Sequence, residues 1–137
     1  MSAEEGRAMR FRVLVADSDG SLLKTYRDFL SRNGFEVVTA LDGLDCLGKL
    51  RSFMPEALVL RRDLPWGQSD GVLALMMEEP DVPAVPVILV SHSTNPSTRK
   101  PSRTYLEAAY YARPPTPREL AECLRRVRDT SVNCAQC

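Results

Sequence analysis

The chain has 137 residues, of which 44% are apolar and 26% charged, a size and composition that fit one domain with a hydrophobic core of its own. Eighteen basic residues balance eighteen acidic ones, so no global field draws the chain to nucleic acid or to an anionic membrane, and any recognition has to come from a local patch. The amino terminus, Met1-Ser2-Ala3-Glu4-Glu5-Gly6-Arg7, is polar, and no run approaches the roughly 20 apolar residues of a membrane span, so a cytoplasmic location is expected. The four cysteines, Cys46, Cys123, Cys134 and Cys137, are too few and too unevenly spaced for a disulfide framework and fit a reducing compartment.

Phe11-Arg12-Val13-Leu14-Val15-Ala16 ends in Asp17-Ser18-Asp19-Gly20, the pattern of a buried strand that delivers acidic side chains to a loop. Asp19 is placed to cap a helix carrying Leu22, Leu23, Tyr26, Phe29 and Leu30 on one face, and Asn33-Gly34 supplies its stop. A second strand is predicted at Phe35–Ala40. From Asp42 onward, Leu44, Leu47, Leu50 and Phe53 recur at three-residue steps, which predicts a helix that buries this row. Ala57-Leu58-Val59-Leu60 reads as a strand buried on both faces, and it breaks into charge at Arg61-Arg62-Asp63 before Leu64-Pro65.

Trp66–Gly71 is expected to be a loop and Val72–Met77 a short helix closed by Pro80. Val85–Val90 predicts the fourth strand, ending in Ser91-His92-Ser93, with His92 expected to be an exposed loop residue. Between Pro96 and Arg103 the prolines and polar residues predict a mobile segment, with helix only over Arg103–Ala108. Ala109–Ala112 predicts the fifth strand. Thr116-Pro117-Arg118-Glu119 is a capping box with proline at the first helical position; the helix it opens should bury Leu120, Cys123, Leu124 and Val127 and end near Asp129. The alternation implies an α/β domain with a five-stranded parallel sheet and helices on both faces. Residues 1–10 are expected to be a tail, 11–129 the domain, and 130–137 a second tail. Cys134 and Cys137 have zinc-knuckle spacing but no second ligand pair.

Five fragments in this order carry a resemblance: Val13-Leu14-Val15-Ala16-Asp17-Ser18-Asp19, Pro55-Glu56-Ala57-Leu58-Val59-Leu60, Leu64-Pro65 with Asp70-Gly71, Pro86-Val87-Ile88-Leu89-Val90-Ser91, and Tyr110-Tyr111-Ala112-Arg113-Pro114. From Phe11 to about Asp129 the chain resembles the receiver domain of bacterial two-component response regulators. The resemblance implies a flavodoxin-like, doubly wound sheet of order 2-1-3-4-5, with the site outside the carboxyl ends of strands one and three. It also implies a chemistry: two acidic residues after strand one and an acceptor aspartate after strand three hold Mg²⁺, while a hydroxyl residue and a lysine bind phosphoryl oxygens. Carried onto this chain, Asp17 matches the first acidic position, Ser18 stands at the second, and Arg61 stands at the acceptor. Ser91 matches the hydroxyl, Tyr110 the aromatic switch residue, and Arg113 replaces the lysine. The Trp66–Ser69 loop is about two residues longer than the family pattern.

These departures imply a pseudo-receiver: a phosphorelay signalling module that works by protein–protein interaction, catalyses nothing and needs no cofactor. Its expected partners are a histidine kinase or an output protein, not nucleic acid or membrane. One alternative is a phosphorylatable receiver that uses Asp63, two residues beyond Arg61, as acceptor with Mg²⁺. Another is a small flavodoxin-like ligand-binding protein, although no glycine-rich phosphate loop follows the first strand. Plainer roles stand beside these: Asp17 paired with Arg61, Asp19 as a helix cap, Ser91 held by backbone, Tyr110 packed in apolar surroundings, Cys46 and Cys123 in the core. Arg125, Arg126 and Arg128 form a solvated stripe or part of a partner face.

Overall fold

In the computed structural model, which describes residues 10–92 and 106–136 and side chains as far as Thr130, the apolar runs pair side by side as one parallel sheet. Its strands are β1 (Phe11–Ala16), β2 (Phe35–Ala40), β3 (Ala57–Arg61), β4 (Val87–Val90) and β5 (Glu107–Tyr111), in the order β2-β1-β3-β4-β5. The helices are α1 (Gly20–Arg32), α2 (Gly43–Phe53), α3 (Gln68–Glu78) and α4 (Pro117–Gln136). Ala16 lies opposite Leu60 across β1 and β3, and Arg61 opposite Val90 across β3 and β4. Asp17, Arg61 and Ser91 therefore leave the sheet at one edge, where the strand order reverses direction about β1 and β3.

Side chains alternate across the strands and so feed two cores. Val13, Val15, Val59 and Ile88 pack against Leu23, Tyr26 and Leu30 of α1 and Leu120, Cys123 and Leu124 of α4. Leu14, Leu58, Leu60 and Leu89 pack against Cys46, Leu47 and Leu50 of α2 and Val72 and Met76 of α3. Covering both faces explains why Ala57–Leu60 is buried throughout. The expected caps are in place: Asp19 accepts from the amides of Ser21 and Leu22, and Thr116 and Glu119 exchange hydrogen bonds of 2.9 and 3.1 Å.

Several boundaries differ from expectation. Leu44 is 61% exposed, although its row was expected to be buried. A three-residue step falls about 60° short of a full helical turn, so a row of four cannot stay on one face. The middle pair, Leu47 and Leu50, takes the core, together with Cys46. Helix α3 begins at Gln68 rather than Val72, because Gly67 in the left-handed region turns the chain into the helix at once. Strand β4 starts two residues late, at Val87; Pro86 has no amide to give the ladder and contributes only its carbonyl, to the Leu58 amide. Glu107 and Ala108, expected in helix, open β5, and α4 runs past Asp129 to Gln136. The segment from Pro96 to Arg103 and residue Cys137 lie outside the described residues. No helix among the described residues is long and apolar enough to cross a membrane.

Candidate functional site

The end of β1 fixes Asp17: its amide donates to the Ala40 carbonyl, and its carboxylate is only 5% exposed. Oδ1 accepts from the Asp19 amide at 2.8 Å and from Arg61 Nη1 at 3.0 Å. Arg61 is the last residue of β3, and the following amide, of Arg62, donates to Val90 O and holds the strand end against β4. The Arg61 side chain is 19% exposed and has its donors distributed around it. Nη1 also reaches Ser18 Oγ at 3.1 Å, while Nε and Nη2 grip the two oxygens of Asp63 at 2.6 and 3.3 Å. A two-point guanidinium–carboxylate contact of this kind is the strong, oriented form of the interaction.

Electrostatics follow from that geometry. The hydrogen bonds from Arg61 hold the Asp63 carboxyl below the usual aspartate range, against the opposing effect of burial. Asp63 in turn, more than Asp17, pushes the Arg61 guanidinium above its ordinary value. Arg61 thus sits as a fixed cation between two carboxylates. Strand alternation does not extend to Asp63, because β3 ends at Arg61 and the chain turns there. Asp63 shares the site as the outer partner of Arg61, with its side chain 59% exposed.

His92 is not the exposed loop residue expected from its surroundings in sequence. It is half-buried, with Nε2 2.8 Å from Asp17 Oδ2, an ion-pair distance without the alignment of a hydrogen bond. The signal for it was its place: it follows Ser91 at the carboxyl end of β4, the strand beside β3. Ser91 is buried, and its amide donates to Tyr111 O. A cleft of about 360 Å³ opens between these residues and α3, lined among others by Asp63, Ser69, Ser91 and His92. Tyr110 packs against the α2–α3 core, and its hydroxyl is buried without a hydrogen-bond partner among the described residues. Arg113 stands apart from the Asp17–Arg61 group. It is exposed and faces Glu119 Oε1 at 4.0 Å, drawn by the carboxylate of the capping box.

The donor set does not fit Mg²⁺. A hard divalent cation needs several oxygen ligands converging on one point. Here Ser18 offers a hydroxyl where the resemblance implies a second carboxylate, and both Asp17 and Asp63 are turned onto the guanidinium between them. No group of three or more His, Cys, Asp or Glu side chains suited to a metal occurs among the described residues.

The loop after β3 has an unusual backbone: Trp66, Gly67 and Gln68 have φ of 64°, 82° and 57°. Two non-glycine residues in the left-handed region cost about 1 kcal/mol or more each. Hydrogen bonds from Gly43 N to Pro65 O, Gln68 N to Leu64 O and Ser69 N to Arg62 O hold the turn. Gly43 is required there, since a Cβ would collide with the Trp66 carbonyl.

Known proteins share this arrangement of strands. No family model matches the chain. The response regulator MprA of Mycobacterium bovis is 31% identical over 120 residues, which is 88% of this chain and 50% of that protein. The transcriptional regulatory protein PrrA of Mycobacterium tuberculosis is 40% identical over 75 residues, 53% of this chain and 31% of that protein. The chain therefore spans about half or less of the length of these relatives. Among solved structures, the chemotaxis response regulator CheY4 of Vibrio cholerae superposes with a TM-score of 0.75 at 20% identity, covering 87% of this chain and 99% of that one. A CheY-like receiver domain protein from Methanospirillum hungatei gives 0.75 at 21% identity over 90% and 98%. With the fold, the order of site-bearing strand ends and the similarity to these response regulators agreeing, the chain is a receiver domain.

Proposed function

We propose that this receiver domain is a pseudo-receiver: a binding module of two-component signalling that works without aspartyl phosphorylation. The observation that supports this most is the Arg61 guanidinium, bonded at once to Asp17, Ser18 and Asp63. It stands where the resemblance puts the acceptor, and it supplies in fixed form the positive charge that a metal would otherwise bring. An ion pair that replaces an acceptor acts as a lock, because breaking it leaves a buried charge unpaired. The domain then presents one state of its surface to its partner, a histidine kinase or an output protein, in the cytoplasm. It binds and does not catalyse.

The rival reading, phosphorylation on Asp63, draws on the exposure of that carboxylate. In that reading Mg²⁺ would have to displace Arg61 from both aspartates. A titration with MgCl₂ followed by amide chemical shifts separates the two. The pseudo-receiver reading expects no saturable change at Asp17, Arg61 or Asp63 up to millimolar Mg²⁺. For Arg61→Asp it expects only weak binding, since Ser18 still leaves one carboxylate short. Saturable binding to the unaltered protein at millimolar Mg²⁺ or below contradicts it.

A further inference from the structure

A cavity of about 740 Å³ opens where β4 and β5 begin, beside the middle of α4 and at the opposite end of the sheet from Arg61. The local chain creates it. Between β4 and β5, Glu107 lies opposite Val87 and Ala109 opposite Ile88, so Ala108 is one residue too many and bulges out of the ladder. A bulge bends its strand and sharpens the twist, and Ala108 and Ala109 have only methyl groups to put into the space beside the helix. The walls come from both cores: Val85 and Leu106 from the α2–α3 side, Cys123 and Val127 from the α1–α4 side. A concave, largely apolar space of this size lies in the range of small-molecule sites, about 300–1,000 Å³.

The few polar groups around the cavity select its ligand. Pro86 has no amide and its carbonyl accepts from Leu58, while the Leu106 carbonyl accepts from Val87, so the sheet already engages these backbone groups. Among the described residues of the lining, Arg126 carries the single charge, with the Thr130 hydroxyl one turn further along α4. Of the run Arg125, Arg126 and Arg128, the first lies over the Phe35 ring at 5.9 Å and the last pairs with Asp129 at 3.1 Å. Arg126 has no carboxylate within ion-pair distance among the described residues. One uncompensated guanidinium at the edge of an apolar hollow matches a ligand with an apolar body and one carboxylate, which the planar fork grips at two points. A phosphate monoester, with a charge of about −1.5 to −2 at pH 7, calls for more donors than Arg126 and Thr130 offer.

We propose that this cavity binds a small amphiphilic carboxylate, with its apolar body between Val85, Leu106, Cys123 and Val127 and its carboxylate on Arg126. The site lies apart from Arg61 and Asp63 and does not rest on the pseudo-receiver reading. Mg²⁺ binding or phosphate uptake at Asp63 would overturn that reading and leave this site standing, and the reverse holds for a failure here.

The test titrates the isotope-labelled full chain with octanoate and, separately, with octanol and octylammonium, following the backbone amide shifts. The expected result is saturable movement at Ala108, Ala109, Cys123 and Val127 with octanoate, and affinity at least about tenfold lower, some 1.4 kcal/mol, for octanol and octylammonium. Arg126→Gln weakens octanoate by a similar factor and leaves octanol unchanged; residue 126 is exposed on α4, so the substitution spares the core. Ala108→Leu, which fills the space, weakens both ligands, and circular dichroism verifies its fold. No saturable movement at these residues, equal affinity for octanoate and octanol, or full octanoate binding by Arg126→Gln or by a folded Ala108→Leu overturns the proposal. So does movement of the same amides with protein concentration alone, accompanied by a dimer in sedimentation, which would make the occupant a second copy.

Discussion

Truncating Arg61 is the perturbation that separates a lock from a decorative ion pair. Arg61→Ala removes two charge-assisted bonds to Asp63, one to Asp17 and one to Ser18. The outer pair is worth little, because Asp63 is 59% exposed and returns to water, and exposed ion pairs contribute under about 1 kcal/mol. The inner contact is different. Asp17 is 5% exposed and, among the described residues, keeps only the Asp19 amide and the His92 contact. Leaving a buried charged acceptor short of a donor costs about 1–3 kcal/mol, below the 3–5 of a fully buried pair because these remaining contacts persist. Urea denaturation at pH 7 should show Arg61→Ala losing about 1–3 kcal/mol with an unchanged slope, and Asp63→Ala less than about 1. In the Asp17→Asn background the Arg61→Ala loss should shrink, since the stranded charge is gone. Equal losses for Arg61→Ala and Asp63→Ala, or a full Arg61→Ala loss that persists in the Asp17→Asn background, would refute the reasoning.

Gly43→Ala should cost about 1–3 kcal/mol, because the new Cβ meets the Trp66 carbonyl rather than open space; a shift in Trp66 emission should accompany the loss, and a neutral outcome in urea would show that the loop yields freely. Tyr26→Phe deletes the buried hydroxyl that donates to Pro115 O at 2.7 Å, and a melting temperature lower by about 2–6 °C is expected; a melting curve identical to that of the unaltered protein would contradict it. The pH dependence of Asp63 has a definite sign. Its folded-state pKa is lowered by Arg61, so its contribution is present above the ordinary aspartate value of about 3.9 and is lost as pH falls below it. The small stability difference between the unaltered protein and Asp63→Asn should therefore be full at pH 7 and shrink progressively as the pH falls below about 3.9; a difference that stays constant would mean the pair does not titrate.

Elements whose ends carry their own chemistry were legible in the sequence. Strand β1 and helix α1 fall where the apolar run, the Asp19 cap and Asn33-Gly34 put them, and α4 opens at the capping box that Thr116 and Glu119 form. The Asp17–Arg61 pairing was legible too, since strand order alone brings the ends of β1 and β3 together. What depends on side-chain reach was not. Spacing put Arg113 in the lysine's place, yet its long side chain follows the nearer carboxylate of Glu119. His92 looked like a loop residue because its partner, Asp17, lies 75 positions away in sequence and two strands away in the sheet. The start of α3 was hidden for another reason: a left-handed Trp66 and Gln68 around Gly67 have no sequence signature, since both are residues that normally avoid that conformation.

Whether any aspartate in this site takes up phosphate decides between a lock and a switch. Intact mass is the direct measurement, on protein incubated with a small phosphodonor and millimolar Mg²⁺, alongside Asp63→Ala and Arg61→Ala. With the Arg61 guanidinium held between Asp17 and Asp63, the unaltered protein should show no phosphorylated species. A single added phosphate that disappears in Asp63→Ala would contradict the pseudo-receiver reading and make Asp63 the acceptor.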